Sequence, residues 1–431
     1  MNKRFFAALI SLALLLGISA CAGAETTRLI FWHSMSDEAG KLIEACVKRF
    51  NETAGAEKGI EIETVYQGTY AEAATKMNSM LMNGQTDSLP DVMQMDATGK
   101  VSFAAAENAY TVDMALAEHP QDDLSDLLAP AMANWQLAGA QLGLPFATST
   151  TVMYYNKTAL DAAGKAVPVT LADIGGLAGL AADGVTVYAA VPNTPTLANW
   201  LGQLGSDLVN RHNGSEGTAT ALDCIENGAL ADFLQAWKAL YATGALANTN
   251  GSSDEFVAGR QLIMTSSSSS IASLLERIAG SFELGVAPYP RVSDEASAGA
   301  TVSGSCLVMF DHGEARREAA WQFARFMTGA DVQADFAKGT GYLPANLAAE
   351  QSETWQALIG EYPQYNVGLA QLKETPDSMR SVTVGPAADF YYAIMNDISD
   401  MLDSDLSVEE TVDIMADDLG GMLEQYARAN P

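Results

Sequence analysis

Polar side chains that could contact a small molecule stand directly after two apolar runs of this chain. Asp96 follows the run Asp91–Met95, and the serines Ser266–Ser270 follow Leu262–Met264. A carboxylate accepts hydrogen bonds from alcohols, and serine hydroxyls both donate and accept them. Serine runs are common in flexible linkers, but the apolar spacing of Ile271–Ile278 predicts a helix next, so we expect an ordered strand-to-helix turn. Asp96 has a second interpretation, in which its side chain only caps the helical turn that follows it.

The sequence contains no pattern of residues typical of a catalytic or metal site. The four histidines are far apart, no Gly-x-Ser-x-Gly turn surrounds a nucleophile, and no Cys or His spacing suits zinc. The acidic C-terminal stretch lacks the spacing of a calcium loop and is interpreted as the wet faces of helices. His33 would act as a base only with partners that the sequence does not supply, so we assign it and Trp32 to the framework or the rim of a cleft. We therefore expect no enzyme, no metal and no cofactor, and a secreted hydrolase is the less favoured alternative.

The first residues have the layout of an export signal. Lys3 and Arg4 precede an apolar run from Phe5 to Ile18, which is short for a membrane-spanning helix. Small residues then precede Cys21, as in the bacterial lipobox, where the leader is cut and the cysteine is lipidated. We predict a signal peptide over residues 1–20, lipidation at Cys21 and a tether over residues 21–27, which would anchor the chain outside the cytoplasmic membrane. An ordinary cleaved signal is the alternative.

Apolar patterns after the tether alternate between strands and helices. Leu29–Trp32, Ile60–Val65 and Asp91–Met95 have the pattern of buried strands, and helical patterns lie between them, with Ser36 as the expected cap of the first helix. This alternation predicts an α/β fold with parallel crossovers. Further strands are predicted around Val152–Tyr155, Leu284–Pro288 and Thr301–Phe310, and further helices over Leu230–Tyr241, Ile271–Ile278 and Glu314–Met327. The chain is too long for one ordinary core, so two domains are expected.

The net charge argues against some classes of ligand, and the cysteine content argues against disulfides. The formal charge of −30 argues against nucleic acid and anionic lipid as ligands. It does not exclude a small anion, because screening lets one well-placed arginine outweigh distant carboxylates. Cys46, Cys224 and Cys306 each lie in an apolar stretch and are expected to be buried thiols without disulfides.

Three segments of the chain resemble the extracellular solute-binding lipoproteins of ABC importers, in the carbohydrate-type cluster. They are Phe31–Met35, Pro145–Lys157 and Thr340–Pro344, and the similarity is strongest to the branch that binds sn-glycerol 3-phosphate. It implies a two-lobed fold of the periplasmic-binding-protein (Venus-flytrap) type, in which each lobe is an open sheet covered by helices and the chain crosses between lobes at a hinge. It also implies a monomer that delivers its ligand to ABC permease subunits. A tethered sensor for a signalling partner stays open.

The resemblance also implies the extent of the lobes. The N-terminal lobe would comprise residues 28–146 and 285–338, and the C-terminal lobe residues 147–284 and 339–431. The crossings would then lie near Phe146, Leu284 and Gly339.

The resemblance further implies which residues contact the ligand. These residues are Tyr70, Asp96, Ser149, Ser268, Ser270, Gly304, Tyr342 and Arg380. Arg380 matches a phosphate-binding arginine, a role suited to a planar fork of N–H donors that stays ionised. Without the resemblance it would be interpreted as a surface arginine, and Tyr70 as a half-buried structural tyrosine. Which serine of the run contacts the ligand depends on its register.

Three departures from the family leave the ligand open. Ala147 replaces an asparagine, Asp96 replaces a glutamate, and Val191–Thr194 stands where the family has tryptophans. Trp200 comes too late in the sequence to replace them. Without that aromatic wall a bulkier head group would fit, so we expect sn-glycerol 3-phosphate or a glycerophosphodiester, with a neutral sugar or oligosaccharide as the alternative.

Overall fold

The computed structural model describes residues 26–182, 184–376 and 378–430. The predicted signal peptide, the lipidation site Cys21 and most of the tether lie outside the described residues. No helix in the described ranges has both the length and the hydrophobicity that a bilayer span requires.

Strands and helices alternate along most of the described chain. The strands are β1 (Thr27–His33), β2 (Ile60–Tyr66), β3 (Val92–Met95), β4 (Ala109–Tyr110), β5 (Gln136–Leu137), β6 (Ala140–Gln141), β7 (Leu144–Asn156), β8 (Thr186–Ala189), β9 (Leu246–Ala247), β10 (Gln261–Ser267), β11 (Leu284–Pro288) and β12 (Val302–Phe310). The helices are α1 (Asp37–Glu52), α2 (Ala54–Lys58), α3 (Tyr70–Met82), α4 (Lys100–Ala104), α5 (Val112–Glu118), α6 (Ala129–Asn134), α7 (Lys157–Ala162), α8 (Leu171–Gly175), α9 (Thr194–Gln203), α10 (Asp223–Glu226), α11 (Ala229–Ala242), α12 (Ser253–Val257), α13 (Ile271–Ile278), α14 (Glu314–Met327), α15 (Ala330–Thr340), α16 (Glu353–Glu361), α17 (Tyr365–Glu374), α18 (Ala387–Asp403) and α19 (Val408–Ala429). Shorter helical turns lie at Thr86–Ser88, Ala97–Gly99, Ala178–Leu180, Asn210–Asn213, Ser268–Ser270 and Leu347–Gln351.

One long strand joins the two halves of the sheet. The strand order is β2-β1-β3-β12-β7-β10-β8-β9, with β11 also paired to β7 and β4 to β12. The first half of β7 pairs antiparallel with β12, and its second half pairs antiparallel with β10 and β11. Strand β7 therefore belongs to both halves, which confirms the predicted two-lobed α/β architecture.

The first half of the sheet has parallel strands and a helix-covered core. Strand β1 pairs parallel with β2 and β3, so their carboxyl ends meet at one edge. Phe31 on β1 and Phe50 on α1 both contact Phe323 of α14 edge to face, with ring centroids 5.2 Å apart in each pair. Aromatic burial of this kind contributes strongly to a core, so it holds α1 and α14 on the same face of the sheet.

The second half of the sheet has a separate core that is rich in tryptophan. Strand β8 pairs parallel with β9 and β10. Trp200 of α9 is buried and packs on Phe233 and Trp237 of α11, and its Nε1 donates to the Pro290 carbonyl oxygen at 3.2 Å. Trp200 is thus part of the core of this half.

Gly304 allows β12 and β7 to approach closely where the lobes meet. Its φ is +103°, and a Cβ built on it would lie 1.9 Å from the carbonyl oxygen of Ala147. The register of the two strands shifts between Gly304 and Cys306, which forms a bulge that turns the Ser305 side chain inward. Only glycine fits this backbone and this spacing.

The contacts of residues 284–300 bear on the predicted lobe boundaries. Strand β11 pairs with the second half of β7, and Tyr289, Val292 and Ala300 pack in the same core as Trp200. The resemblance implied that residues 285–338 belong as one piece to the N-terminal lobe. We propose instead that the chain returns to that lobe near Val302, because the preceding residues bury their apolar side chains in the other core.

Two local predictions were wrong in detail. Ser36 occupies the cap position of α1, but its hydroxyl donates to the Asp37 carboxylate at 2.9 Å and makes no capping bond to the helix backbone. Asp397 on α18 was expected on a wet helix face, yet it is 9% exposed and one of its carboxylate oxygens has no partner. The three thiols Cys46, Cys224 and Cys306 are buried, as predicted.

Candidate functional site

Strand ends in both halves place polar residues along one cleft. Tyr70 follows β2 and Asp96 follows β3, at the carboxyl edge of the first set of parallel strands. The serine turn, Ser266–Ser270, lies at the end of β10, at the carboxyl edge of the second set of parallel strands, β8, β9 and β10. Ligands of open α/β sheets gather outside these carboxyl ends, which makes this the candidate binding cleft.

A cavity of about 230 Å³ lies between the two halves. The walls come from both lobes and its floor from the start of β12; the lining residues are Asp96, Ala97, Asn134, Trp135, Thr194, Pro195, Ala198, Thr301, Val302, Ser303, Gly304, Ser381 and Val382. Of the site residues predicted from the sequence, Asp96 and Gly304 line this cavity directly. Asn134, Trp135 and Thr194 were not anticipated, because no spacing in the sequence connects them.

Asp96 both caps a turn and lines the cavity. Its Oδ1 accepts a hydrogen bond from the backbone N–H of Thr98 at 3.0 Å and another from the Thr98 hydroxyl, so the capping interpretation is correct. Burial raises the pKa of this carboxyl above its usual value. The cap fixes the side chain at the edge of the cavity, where its other oxygen can accept hydrogen bonds from alcohol groups.

A buried amide joins Tyr70 to Ser305, and Tyr342 lies beside Tyr70. The Gln94 Nε2 donates to the Tyr70 hydroxyl at 3.0 Å and to the Ser305 hydroxyl at 2.9 Å. The Tyr70 and Tyr342 hydroxyls are hydrogen-bond neighbours, and burial raises the pKa of both phenols, so both stay neutral donors. Gln94 was missed from the sequence because it sits inside an apolar strand and looks like a strand residue.

The serine turn is ordered, and its members have different roles. The Ser268 hydroxyl accepts from the backbone N–H of Thr150 at 3.2 Å, and the Tyr154 hydroxyl donates to the Ser268 carbonyl at 3.0 Å. Ser270 lies 3.3 Å from the Ser266 hydroxyl. Ser269, which the sequence did not single out, is the serine that neighbours the Tyr342 hydroxyl. The structure thus ties Ser268 to the framework and brings Ser269 beside the tyrosines.

Ser149 and the segment that carries Arg380 both contact the start of β12. Ser149 is buried in β7 opposite Ser303 of β12, at the point where the lobes join. Arg380 is half-buried and directly precedes the cavity residues Ser381 and Val382. The Asn213 side-chain amide donates to the Arg380 carbonyl oxygen at 3.0 Å, and the Ser381 hydroxyl donates to the Val302 carbonyl at 2.7 Å. These bonds hold the segment that carries Arg380 against the cleft.

A second cavity, of about 400 Å³, adjoins Val191–Asn193, where the resemblance implied tryptophans that this chain lacks. It lies at the carboxyl ends of β8 and β10, between the segment Ala189–Asn193 and the start of the serine turn. Trp200 and Tyr188 form part of its wall from the core side. No cluster of acidic, histidine or cysteine side chains suited to a metal ion occurs in the part of the chain that the structure describes.

Comparisons with known proteins agree with this architecture. The sequence profile of the family "Bacterial extracellular solute-binding protein" matches residues 45–363. The sn-glycerol-3-phosphate-binding periplasmic protein UgpB of Yersinia pestis is 26% identical over 386 residues, covering 85% of each chain.

Solved structures with the same fold include binders of different ligands. UgpB of Mycobacterium tuberculosis in complex with glycerophosphocholine superposes with a TM-score of 0.74 at 21% identity, over 93% of this chain and 99% of that one. The cyclic alpha-maltosyl-1,6-maltose binding protein of Arthrobacter globiformis gives 0.76 at 18% identity, with the same coverage. Since the family profile covers most of the sequence, the chain belongs to the bacterial extracellular solute-binding proteins, non-catalytic receptors that supply ABC importers.

Proposed function

We propose that this receptor captures sn-glycerol 3-phosphate or a related glycerophosphodiester in the cleft between its lobes. The observation that carries the proposal is the position of Arg380, which adjoins a cavity that Asp96 lines from the opposite lobe. A guanidinium is suited to phosphate oxygens, and a carboxylate is suited to neighbouring alcohols, so the pair matches the two ends of glycerol 3-phosphate. The relatives named for this ligand support the same interpretation.

The second cavity supports a ligand larger than glycerol 3-phosphate. Its 400 Å³ would accommodate a head group attached to the phosphate. We propose further that the mature chain acts as a monomer, is anchored through lipidated Cys21, and passes its ligand to membrane permease subunits. A neutral sugar is the second candidate, because a structural neighbour binds one and because Asp96 would accept hydrogen bonds from any diol.

Thermal unfolding with defined ligands tests the proposal. A ligand that binds only the folded chain stabilises it by about 2.7 kcal/mol at a hundredfold excess over its dissociation constant. We expect an increase in Tm with glycerol 3-phosphate or glycerophosphocholine and none with maltose. An increase with maltose and none with either phosphate would reject the phosphate ligand and favour the sugar.

The variant Arg380→Lys tests the proposed phosphate contact. Lysine keeps the charge but loses the planar fork, so we expect much weaker binding of glycerol 3-phosphate in calorimetry. Arg325→Lys is the matched control, because Arg325 is also half-buried but lies on α14, where its guanidinium donates to the Asp123 carbonyl. Equal affinity in the two variants would remove Arg380 from the site.

A further inference from the structure

A buried lysine stands directly behind the wall of the interlobe cavity. Lys100 begins α4, immediately after the turn Ala97–Gly99, and its side chain is only 3% exposed. Its Nζ donates to the backbone carbonyl of Asn134 at 3.0 Å. Asn134 and Ala97 both line the cavity, so the ammonium is separated from the cavity by residues that form its wall.

The charge of Lys100 is not balanced within the described residues. No described aspartate or glutamate is in ion-pairing distance of its Nζ, and the charged or titratable groups that act on it are the Cys306 thiol and the Arg380 guanidinium. Burial raises the pKa of Cys306, so this thiol stays neutral. A buried cation without an anion is unfavourable, and a second cation nearby makes it more so. A bound anion would relieve both effects.

We propose that Lys100 is a second cationic determinant of ligand choice, whose buried ammonium, with Arg380, supplies the positive charge that selects a phosphate-bearing ligand over a neutral one. This inference rests on the proposed phosphate ligand. Attraction across the cavity wall needs no direct contact, because charges separated by dry protein are weakly screened. Two cations near one small cavity attract the dianion of a phosphate monoester and, less strongly, the monoanion of a phosphodiester.

Burial lowers the pKa of Lys100 to about 8 in the free protein. An anion nearby favours the charged form, so ligand binding raises this pKa and the complex takes up a proton from solution near and above pH 8. Affinity is therefore highest below the free pKa and falls as the pH rises through it. Phosphate monoesters are fully ionised in that range, because their second pKa is about 6.

Calorimetry of the full chain with glycerol 3-phosphate tests the inference. Titrations at about pH 8.5 in two buffers of different ionisation enthalpy measure the protons taken up per ligand bound. We expect uptake in the unmodified protein and in the control Lys48→Met, an exposed lysine on α1. In Lys100→Met we expect no uptake and at least about tenfold weaker binding, since one of two cations is lost. In Lys100→Arg, whose charge does not titrate, we expect binding without uptake.

The outcomes separate this inference from the proposed function. Absence of any binding of glycerol 3-phosphate or glycerophosphocholine by the unmodified protein would overturn the proposed function, and the Lys100 role with it. Tight binding with no proton uptake, or equal affinity in Lys100→Met, would overturn the Lys100 role alone. Folding is checked by the Tm of each free variant, and we expect Lys100→Met to melt above the unmodified protein because an unpaired buried charge is removed.

Discussion

Replacing Gly304 by alanine tests how tightly the two lobes are joined. The substitution has two consequences, because the residue has a φ of +103° and because a new Cβ would lie 1.9 Å from the Ala147 carbonyl oxygen. Holding a non-glycine residue in such a conformation costs about 1–3 kcal/mol. Forcing an extra methyl into a packed interior costs a further 1–3 kcal/mol or so, since the strands must separate. We expect a total loss of about 2–6 kcal/mol of unfolding free energy.

Gly313→Ala separates the two contributions. Gly313 has a φ of +98°, close to that of Gly304, but a Cβ there would meet no atom within 4 Å. It should therefore lose only the conformational part, about 1–3 kcal/mol. The difference between the two variants isolates the contact between β12 and β7.

Urea unfolding followed by circular dichroism measures both variants. We expect Gly304→Ala to unfold at a clearly lower urea concentration than Gly313→Ala, and to show a smaller rise in Tm with ligand because Gly304 lines the interlobe cavity. Equal midpoints would refute the reasoning, since they would show that β7 yields to the methyl group without strain.

Three further predictions concern buried polar groups. Asp397 has a pKa raised to about 6 by burial and by the neighbouring carboxylates. The folded state therefore binds more protons than the unfolded state between about pH 4 and 6, and the free energy of unfolding falls as the pH rises through that window. Asp397→Asn should gain about 1–3 kcal/mol at pH 7 in urea unfolding and nothing at pH 4. Equal stabilisation at both pH values would contradict this. Asp91→Ala should lose about 3 kcal/mol or more in the same assay, because buried Asp91 accepts two hydrogen bonds from Arg316 at 2.7 and 2.8 Å. A loss below about 1 kcal/mol would show that the pair is dispensable. Tyr342→Phe should weaken calorimetric binding of glycerol 3-phosphate by about 0.5–1.5 kcal/mol, the value of one neutral hydrogen bond. The Tm without ligand should fall only slightly, since the hydroxyl also neighbours Ser269 and Tyr70; a large fall in that Tm would make the hydroxyl structural.

The elements that position the site were predictable because their apolar periodicity is strong. Strands β1, β2 and β3 and helices α11 and α14 were located from alternating or helical spacing to within a few residues. The position of Asp96 followed, since residues at the carboxyl ends of parallel strands meet at one edge, whereas Tyr70 was predicted only from the resemblance. The interlobe cavity itself was not predictable in detail, because Asn134 and Thr194 come from distant segments.

Other features needed three-dimensional contacts that the sequence does not encode locally. Ser268 and Ser269 are identical in type, and only their contacts in the fold distinguish them: the Ser268 hydroxyl accepts from the Thr150 N–H, and Ser269 neighbours Tyr342. In the sequence Asp397 resembles its exposed neighbours, and its burial becomes visible only in the fold, where α19 packs against α18. Lys100 follows a helical turn like many surface lysines, and nothing in its neighbours in sequence indicates burial.

Calorimetric titration with glycerol 3-phosphate at two temperatures is the most direct test of a phosphate-selective cleft. We predict saturable binding of one ligand per chain, competition by glycerophosphocholine, and loss of binding in Arg380→Met. The absence of heat at both temperatures, together with saturable binding of a neutral sugar, would contradict the account.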